Sequence, residues 1–247
     1  MQVHWLDHAI ETRFRRGQPI VRAGGALADW MAIRQGAVSL HIKVAAGTDV
    51  GVALLWGGDV IGWCSPLGQD QAGYDVTALS DVVLLSVPAD TLRAAGDGAC
   101  GGRHDNTRLH AATAQRMQEQ LALRLAGSGF QRLVNVLATC AAAFAPAGVG
   151  GRVLHLGLPV SQAFMGQLAG LSRRQTWIYL GQLAQAGWVR TTRTQVVLES
   201  PAAWLSLPAH VEREGLACIS TADDCSATLG LLGLAAAAMG RAGAGAR

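Results

Sequence analysis

The stretch GQLAGLSRRQTWIYLGQL, residues 166–183, decides the fold of the C-terminal half of the chain. Its pattern is that of two helices joined by a tight corner. Ser161 is expected to cap the first helix, and Gly170 is expected to end it in the left-handed conformation. Ser172 then caps the second helix. Because Gly166 has no side chain, the two helices can cross closely, and the pattern predicts a helix-turn-helix.

The second of these helices exposes its first turn, which in a helix-turn-helix enters the major groove of DNA. Two short β-rich stretches follow it, at 188–191 and 195–198, and they predict a hairpin wing. The side chains at these places are our candidate DNA contacts: Ser161, Ser172, Arg173, Arg174, Gln175, Trp177, Ile178 and, at the tip of the wing, Arg193.

The charge of the chain is concentrated in the same region. The net charge of the whole protein is only +3, but residues 150–207 contain five arginines and a single glutamate. Such a basic segment indicates a polyanionic partner. Together with the helix-turn-helix and the wing, it predicts binding to double-stranded DNA.

The first hundred residues have a different pattern. Apolar, β-branched stretches alternate with glycine-containing turns and show no helical period. This pattern predicts a small antiparallel barrel or roll, with a two-sheet sandwich as the alternative.

A long helix is predicted between the two halves, at residues 104–127. Met117, Leu121 and Leu125 recur on it at a spacing of four and form a narrow apolar stripe. A narrow stripe on a long helix favours pairing with a second copy of the chain. The alternative is that this helix packs on the β-rich half.

Several classes of protein do not fit the sequence. The five cysteines are scattered without a CxxC pair, which fits neither a disulfide framework nor a zinc finger. No catalytic triad, phosphate-binding loop or pair of catalytic carboxylates is recognisable, so we do not expect an enzyme. The uncharged runs at 133–145 and 225–240 are too short to cross a bilayer, and the first residues lack the apolar stretch of a signal peptide, so we expect none. We therefore expect a cytoplasmic protein without a membrane partner.

Over about residues 5–207 the sequence resembles the Crp/Fnr family of bacterial transcription regulators. GLSRRQTWIYLGQLAQAGWV is similar to the recognition helix and the start of the wing in that family. RGQPIVRAGG, MAIRQGAVSL, GGDVIGW and VTALSDVVLL are similar to its cyclic-nucleotide-binding roll. The resemblance implies an α+β chain in four parts: an antiparallel β-roll that acts as effector or sensor domain at 1–103, a dimerisation helix at 104–128, a winged helix-turn-helix at 129–207 and a tail at 208–247.

The resemblance also implies partners. They are a palindromic DNA operator, a second copy of the chain, paired through Met117, Leu121 and Leu125, and RNA polymerase. The effector pocket of the family corresponds here to Gly58, Asp59, Gly62, Trp63 and Cys64.

The effector region departs from the pattern of cyclic-AMP-binding members. Trp63 stands where those members have a glutamate that holds the ribose, and no arginine lies between Val44 and Pro88 to pair with the phosphate. Since a buried phosphate without a cation is costly, we do not expect cyclic AMP as the effector. A haem-based or redox-based sensor that uses Cys64 or His41 is an alternative, and a degenerate module that binds only protein is another.

Overall fold

The computed structural model describes residues 9–44, 47–62, 71–91, 100–125, 127–145, 154–192 and 195–213, together with a few residues between 228 and 237. The chain divides into two compact units, residues 1–119 and 120–247. The boundary between them lies within the long helix, and each unit is described by itself.

The first unit contains two four-stranded antiparallel sheets. Their strands are β1 (Ile10–Phe14), β2 (Pro19–Val21), β3 (Asp29–Gln35), β4 (Ala37–Lys43), β5 (Asp49–Trp56), β6 (Val60–Ile61), β7 (Asp75–Ala78) and β8 (Val82–Pro88). The strand orders are β1-β8-β3-β6 and β2-β7-β4-β5. The first strand therefore pairs with the last strand of the unit, as in a closed roll, and the predicted β-roll is confirmed.

The main core of the roll is formed by side chains from both sheets. Met31 and Ile33 of β3 contribute from one sheet, and Val38 and Leu40 of β4 contribute from the other. Trp30 and Ala32, which alternate with them along β3, point to the opposite face and form a second cluster. This alternation is the period of two that a strand with both faces covered requires.

The long helix α1 (Cys100–Leu125) covers that second face. Leu109 packs on the Trp30 cluster, and Met117 packs against the main core of the roll. The observed helix begins four residues before the predicted start at residue 104.

The second unit is built around helix α2 (Gly129–Phe144), which is buried along most of its length. Cys140 is fully buried in it, and burial raises the pKa of its thiol to about 12, so this cysteine is a packing residue. The other elements are strand β9 (His155–Leu158), helices α3 (Gln162–Leu168) and α4 (Arg173–Gln185), strands β10 (Val189–Thr191) and β11 (Val196–Glu199), and helix α5 (Pro201–Arg213).

The three strands of this unit form one antiparallel sheet in the order β10-β11-β9. Strand β9, which precedes the helix-turn-helix, was not predicted. Helix α5 continues past residue 207, where we expected the winged domain to end. Trp204 of α5 is fully buried, and its Nε1–H donates to the carbonyl oxygen of Glu199 across 3.0 Å. In the part of the chain that the structure describes, no helix is long and apolar enough to cross a membrane.

Candidate functional site

The two helices of the predicted helix-turn-helix begin at serine caps. The Ser161 hydroxyl accepts a hydrogen bond from the Phe164 N–H at the start of α3. Ser172 forms a full capping box at the start of α4, because its hydroxyl accepts from the Gln175 N–H and the Gln175 Oε1 accepts from the Ser172 N–H. Both predicted caps are confirmed.

The corner between the helices depends on two glycines. Gly170 has a φ of 61°, the left-handed conformation that ends a helix tightly. Gly166 lies where a Cβ would approach the Thr176 Oγ1 to 2.5 Å. Leu168, Thr176 and Leu180 are buried at the same crossing. The close approach of α3 and α4 that the sequence predicted is therefore present, and it fixes which face of α4 points outward.

The outward face of α4 is basic and apolar together. Arg173 and Arg174 are exposed in its first turn, which contains no acidic residue. One turn further on, Trp177 is 71% exposed and Ile178 is 39% exposed. Neither arginine forms an ion pair with any residue that the structure describes. The face offers two guanidinium groups and two apolar side chains to a partner.

Three of the candidate contacts also have local roles. The oxygens of Ser161, Ser172 and Gln175 hold the caps of α3 and α4, as described above. The N–H groups at the start of a helix that the cap leaves free can bind an anion. These residues thus orient α4, and Arg173, Arg174, Trp177 and Ile178 present the side chains that extend from it.

The hairpin after α4 forms as predicted, with β10 paired to β11. Arg193 at its tip lies outside the described residues. Arg190 is paired with Glu199, whose carboxylate also contacts His155. The hydrogen bond from Arg190 lowers the pKa of Glu199, which therefore stays ionised at neutral pH. Of the arginines that make this region basic, Arg190 is neutralised within the sheet, whereas Arg173 and Arg174 are not.

The predicted effector region is only partly described, because Trp63 and Cys64 lie outside the described residues. Gly58 and Gly62 have φ values of 94° and 77°, which favour glycine. A Cβ on Gly62 would lie 2.4 Å from the Asp29 carbonyl oxygen, so this glycine is required by the close approach of β3.

Asp59 has a role that the sequence did not predict. Its side chain is completely buried and faces α1 instead of the solvent. Its Oδ2 accepts hydrogen bonds from the Trp56 N–H at 2.8 Å and from Arg116 Nη1 at 3.0 Å. The Arg116 guanidinium also lies 4.3 Å from the centre of the Trp56 ring. Burial raises the pKa of Asp59, and the Trp56 N–H and the Arg116 charge oppose that rise.

A second polar contact joins the roll to α1. The Trp30 Nε1–H donates to Nε2 of His110, and the two rings are stacked with their centroids 6.0 Å apart. As an acceptor, Nε2 carries no proton, so this histidine is neutral with its proton on Nδ1. Burial lowers the pKa of His110, which favours the same form. The Thr113 hydroxyl, one turn further along α1, accepts from the Val60 N–H at 3.0 Å.

Of the two candidate haem ligands, Cys64 and His41, only His41 lies among the residues that the structure describes. His41 Nδ1 lies 3.4 Å from the Asp49 Oδ2 on the neighbouring strand. Its ring is therefore next to a carboxylate.

The predicted dimer stripe on α1 divides between two faces. Met117 is half-buried against the core of the roll, whereas Leu121 and Leu125 are 53% and 79% exposed. The exposed positions instead line up along Ala111, Ala114, Gln118, Leu121 and Leu125, at alternating spacings of three and four. Met117 therefore lies on the face that packs on the roll, which the Asp59 and His110 contacts orient. The assignment of Met117, Leu121 and Leu125 to a dimer interface stays a prediction.

The comparisons with known proteins agree with this architecture. Residues 11–97 match the family model of the cyclic nucleotide-binding domain. Among curated proteins, no sequence is similar enough to count as a relative.

Solved structures provide similarity at the level of the fold. FixK2 from Bradyrhizobium japonicum superposes with a TM-score of 0.64 at 19% identity, over 87% of this chain and 99% of that one. A CRP-family transcriptional regulator from Thermus thermophilus, TTHB099, gives a TM-score of 0.65 at 18% identity, over 85% and 100%. The c-di-GMP-responsive global regulator CLP from Xanthomonas campestris gives 0.60 at 16%, over 79% and 96%.

Proposed function

Because this chain contains a cyclic nucleotide-binding domain and has the fold of the Crp/Fnr-type regulators, we propose that it is a transcription regulator that binds a palindromic DNA operator as a homodimer. It acts in the cytoplasm, where its DNA is, and it is not an enzyme. RNA polymerase is the further partner that the resemblance implies.

The observation that carries this proposal is the outward face of α4. Arg173 and Arg174 stand at the positive end of their own helix dipole, where a carboxylate would be more favourable. No described acidic residue compensates them, so the arrangement lowers the stability of the free protein and gains from an external anion. An arginine also forms the bidentate contact with guanine that is the commonest specific contact in the major groove. The proposed DNA contacts are these two arginines, Ser161, Ser172, Gln175, Trp177, Ile178 and, on the wing, Arg193.

Dimerisation rests on the exposed stripe of α1. The spacing of three and four from Ala111 to Leu125 is that of a coiled-coil seam, with small residues at its start and leucines at its end. Two copies joined along this seam present two α4 helices to two half-sites. The second half-site is then bound at a high effective concentration.

Effector binding in this proposal does not involve cyclic AMP. The cation nearest to the motif GGDVIGW in the described structure is Arg116, and it is already paired with Asp59. No other described cation is therefore at hand to pair with a cyclic phosphate. Trp63 also stands in place of the glutamate that holds the ribose. A sensor that uses Cys64 or His41 is the second candidate for the signal.

The test is a binding titration on duplexes enriched from a random-sequence pool, at several salt concentrations. Replacing Arg173 and Arg174 together by alanine is expected to weaken binding at least about tenfold, to relax the sequence preference and to reduce the salt slope. The matched control replaces Arg15 and Arg22, which are exposed on the roll, and removes the same charge at another site.

The control variant is expected to keep the sequence preference of the wild type. If the Arg173 and Arg174 variant bound DNA with unchanged affinity, preference and salt slope, the assignment of α4 as the recognition helix would be wrong. If the wild-type protein enriched no sequence from the pool, the proposed function itself would be wrong.

A further inference from the structure

An apolar face lies beside the two arginines of α4 and has no partner in the described structure. Arg174, Trp177, Ile178 and Gly181 follow one another at the spacing that places residues on one side of a helix. We call Trp177, Ile178 and Gly181 the apolar face of α4. A single exposed apolar side chain needs no explanation, but a tryptophan and an isoleucine together on the most exposed side of a helix do.

These side chains do not stabilise the second unit. The helix packs through Thr176, Leu180 and Leu183, which are buried on its other side. Tyr179 lies between the two faces, and its ring packs edge-on against that of Phe130 with the ring centroids 5.7 Å apart. Trp177 and Ile178 are therefore not needed for the packing of α4.

Gly181 adds a second, independent observation. It lies inside the helix, one turn after Trp177, and glycine destabilises a helix interior. Its φ is not in the left-handed region, and a Cβ built on it would meet no atom within 4 Å. Nothing inside the described part of the chain therefore requires a glycine at this place. Its lack of a side chain lets an external surface approach the backbone of α4 closely.

The neighbouring charges define that external surface. Two unpaired arginines beside an apolar face match a surface on which anions flank an apolar group. The major groove of DNA is such a surface, because phosphates lie on both sides of it and one apolar group lies on its floor. That group is the 5-methyl of thymine, the only base that displays a methyl in the major groove. Successive thymines place several methyl groups next to one another in the major groove. The side chains of Trp177 and Ile178 can contact these methyl groups, and Gly181 lets the helix backbone come close to them.

We propose that the apolar face of α4 reads thymine methyl groups at positions next to the guanine contacted by Arg173 or Arg174. This inference rests on the proposed function and adds to it the chemistry of the bases recognised. Each half-site then combines a guanine, read by hydrogen bonds, with neighbouring thymines, read by apolar contact.

The chemical probe is uracil, which pairs as thymine does but has no 5-methyl group. Two random-sequence duplex pools are prepared by amplification, one with thymidine and one with deoxyuridine, and the full-length protein is used to enrich both. The affinity of the enriched thymine duplex is then compared with that of the same sequence containing uracil. Three proteins are compared: the wild type, the double variant Trp177→Ala with Ile178→Ala, and a control variant.

The control is Leu154→Ala with Leu205→Ala, which removes two exposed apolar side chains of the same unit outside α4. For the wild type and the control, each contacted methyl that is removed is expected to lower affinity about fourfold, which corresponds to ~0.8 kcal/mol for one buried methyl. For the α4 variant, thymine and uracil duplexes are expected to bind equally well. Because Trp177 and Ile178 are exposed, this variant is expected to keep the circular dichroism and the unfolding midpoint of the wild type.

Two results would overturn the inference while leaving the proposed function intact. One is a wild-type protein that enriches the same sequence from both pools and binds thymine and uracil duplexes equally. The other is an α4 variant that still distinguishes the two duplexes as the wild type does, which would place the methyl contact elsewhere or give the apolar face to a protein partner. If neither pool yields an enriched sequence, the proposed function fails and the inference fails with it.

Discussion

Arg116 and Asp59 form an ion pair around a fully buried carboxylate, in which Nη1 of the arginine donates to Oδ2 of the aspartate across 3.0 Å. The aspartate belongs to the turn before β6, and the arginine belongs to the long helix. Together with the contact between Trp30 and His110, the pair defines which side of α1 packs on the roll. The side that remains exposed is the proposed dimer seam.

Replacing Arg116 by methionine is expected to destabilise the first unit by about 3 kcal/mol, because it leaves a buried carboxylate without its cation. Burial already raises the pKa of Asp59, and loss of the guanidinium raises it further. A carboxyl group whose pKa is raised by folding binds more protons in the folded state than in the unfolded state. The stability that it contributes therefore falls as the pH rises from the unfolded pKa through the folded pKa. The loss in the variant is therefore expected to be largest at neutral pH and to become smaller as the pH falls.

Urea unfolding at several pH values measures this effect. Arg108→Met, at an exposed position of the same helix, is the control and is expected to change stability little. A loss in the Arg116 variant that did not depend on pH would show that the pair does not control the titration of Asp59.

The His110 contact predicts a pH dependence of the opposite sign. Burial lowers the pKa of His110, so the folded state favours the neutral ring that accepts from the Trp30 Nε1–H. The stability from this contact is fully present above the unfolded pKa of about 6.5 and is lost as the pH falls towards the lower folded pKa. His110→Gln keeps an acceptor and removes the titration.

Unfolding of the wild type and the His110→Gln variant at about pH 7.5 and about pH 5.5, on either side of the unfolded pKa, tests this difference. The wild type is expected to lose more stability on acidification than the variant does. The titration of Asp59 is common to both proteins and cancels in the comparison. Equal losses in the two proteins would contradict a neutral acceptor at His110.

The crossing of α3 and α4 predicts coupling between Gly166 and Thr176. Gly166→Ala alone is expected to cost about 1–3 kcal/mol, because the new Cβ would lie 2.5 Å from the Thr176 Oγ1. Thr176→Ala removes that oxygen together with its hydrogen bond to the Ser172 carbonyl. In the Thr176→Ala background, the Leu171 carbonyl oxygen lies 3.5 Å from the new Cβ, which is an ordinary contact. Gly166→Ala is therefore expected to cost little stability there.

A double-mutant cycle from denaturant unfolding measures this coupling. Additive effects of the two changes would mean that the helices do not cross at Gly166.

The two faces of α1 predict different results for neighbouring apolar residues. Leu121→Glu with Leu125→Glu is expected to convert a dimer of about twice the chain mass into a monomer, because it places like charges on the exposed seam. Met117→Ala is expected to leave the dimer intact and to destabilise the first unit, since Met117 packs against the core of the roll. Sedimentation at micromolar concentration distinguishes the two results. A wild-type monomer, or dissociation by the Met117 change alone, would contradict the proposed seam.

Calorimetric titration with cyclic AMP and with cyclic GMP is expected to give no saturable heat at low micromolar concentration. The reason is the lack of an arginine for the phosphate between Val44 and Pro88 and the pairing of Arg116 with Asp59. An Arg116→Met variant serves as a comparison, and it is expected to behave in the same way. A clear micromolar isotherm for the wild type would identify a different cation in the effector region.

The parts of the fold that follow from local chemistry were predicted well from the sequence. Ser161 and Ser172 cap helices, and Gly170 adopts a positive φ, because these functions depend on a residue and its nearest neighbours along the chain. The close approach at Gly166 also followed from spacing alone.

The contacts that were missed join residues distant in sequence. Nothing in the residues around Asp59 or around Arg116 indicates that the two side chains pair. An aspartate within the motif GGDVIGW is equally consistent with a ligand contact. Met117 lies at the edge between the two faces of α1, so a stripe drawn by spacing alone includes it. Only the packing of the helix on the roll separates it from Leu121 and Leu125.

The pairing of β1 with β8 has a consequence for the order of events during translation. Phe14 of the first strand pairs with Val82 of the last one. A nascent chain leaving the ribosome therefore keeps β1 without its neighbour until the last strand of the roll has been made. An unpaired strand edge is a template for aggregation, and pairings between distant residues form slowly. A pause in synthesis before residue 82 would thus leave the emerging chain in its most vulnerable state, whereas a pause within α1 would give the roll time to close.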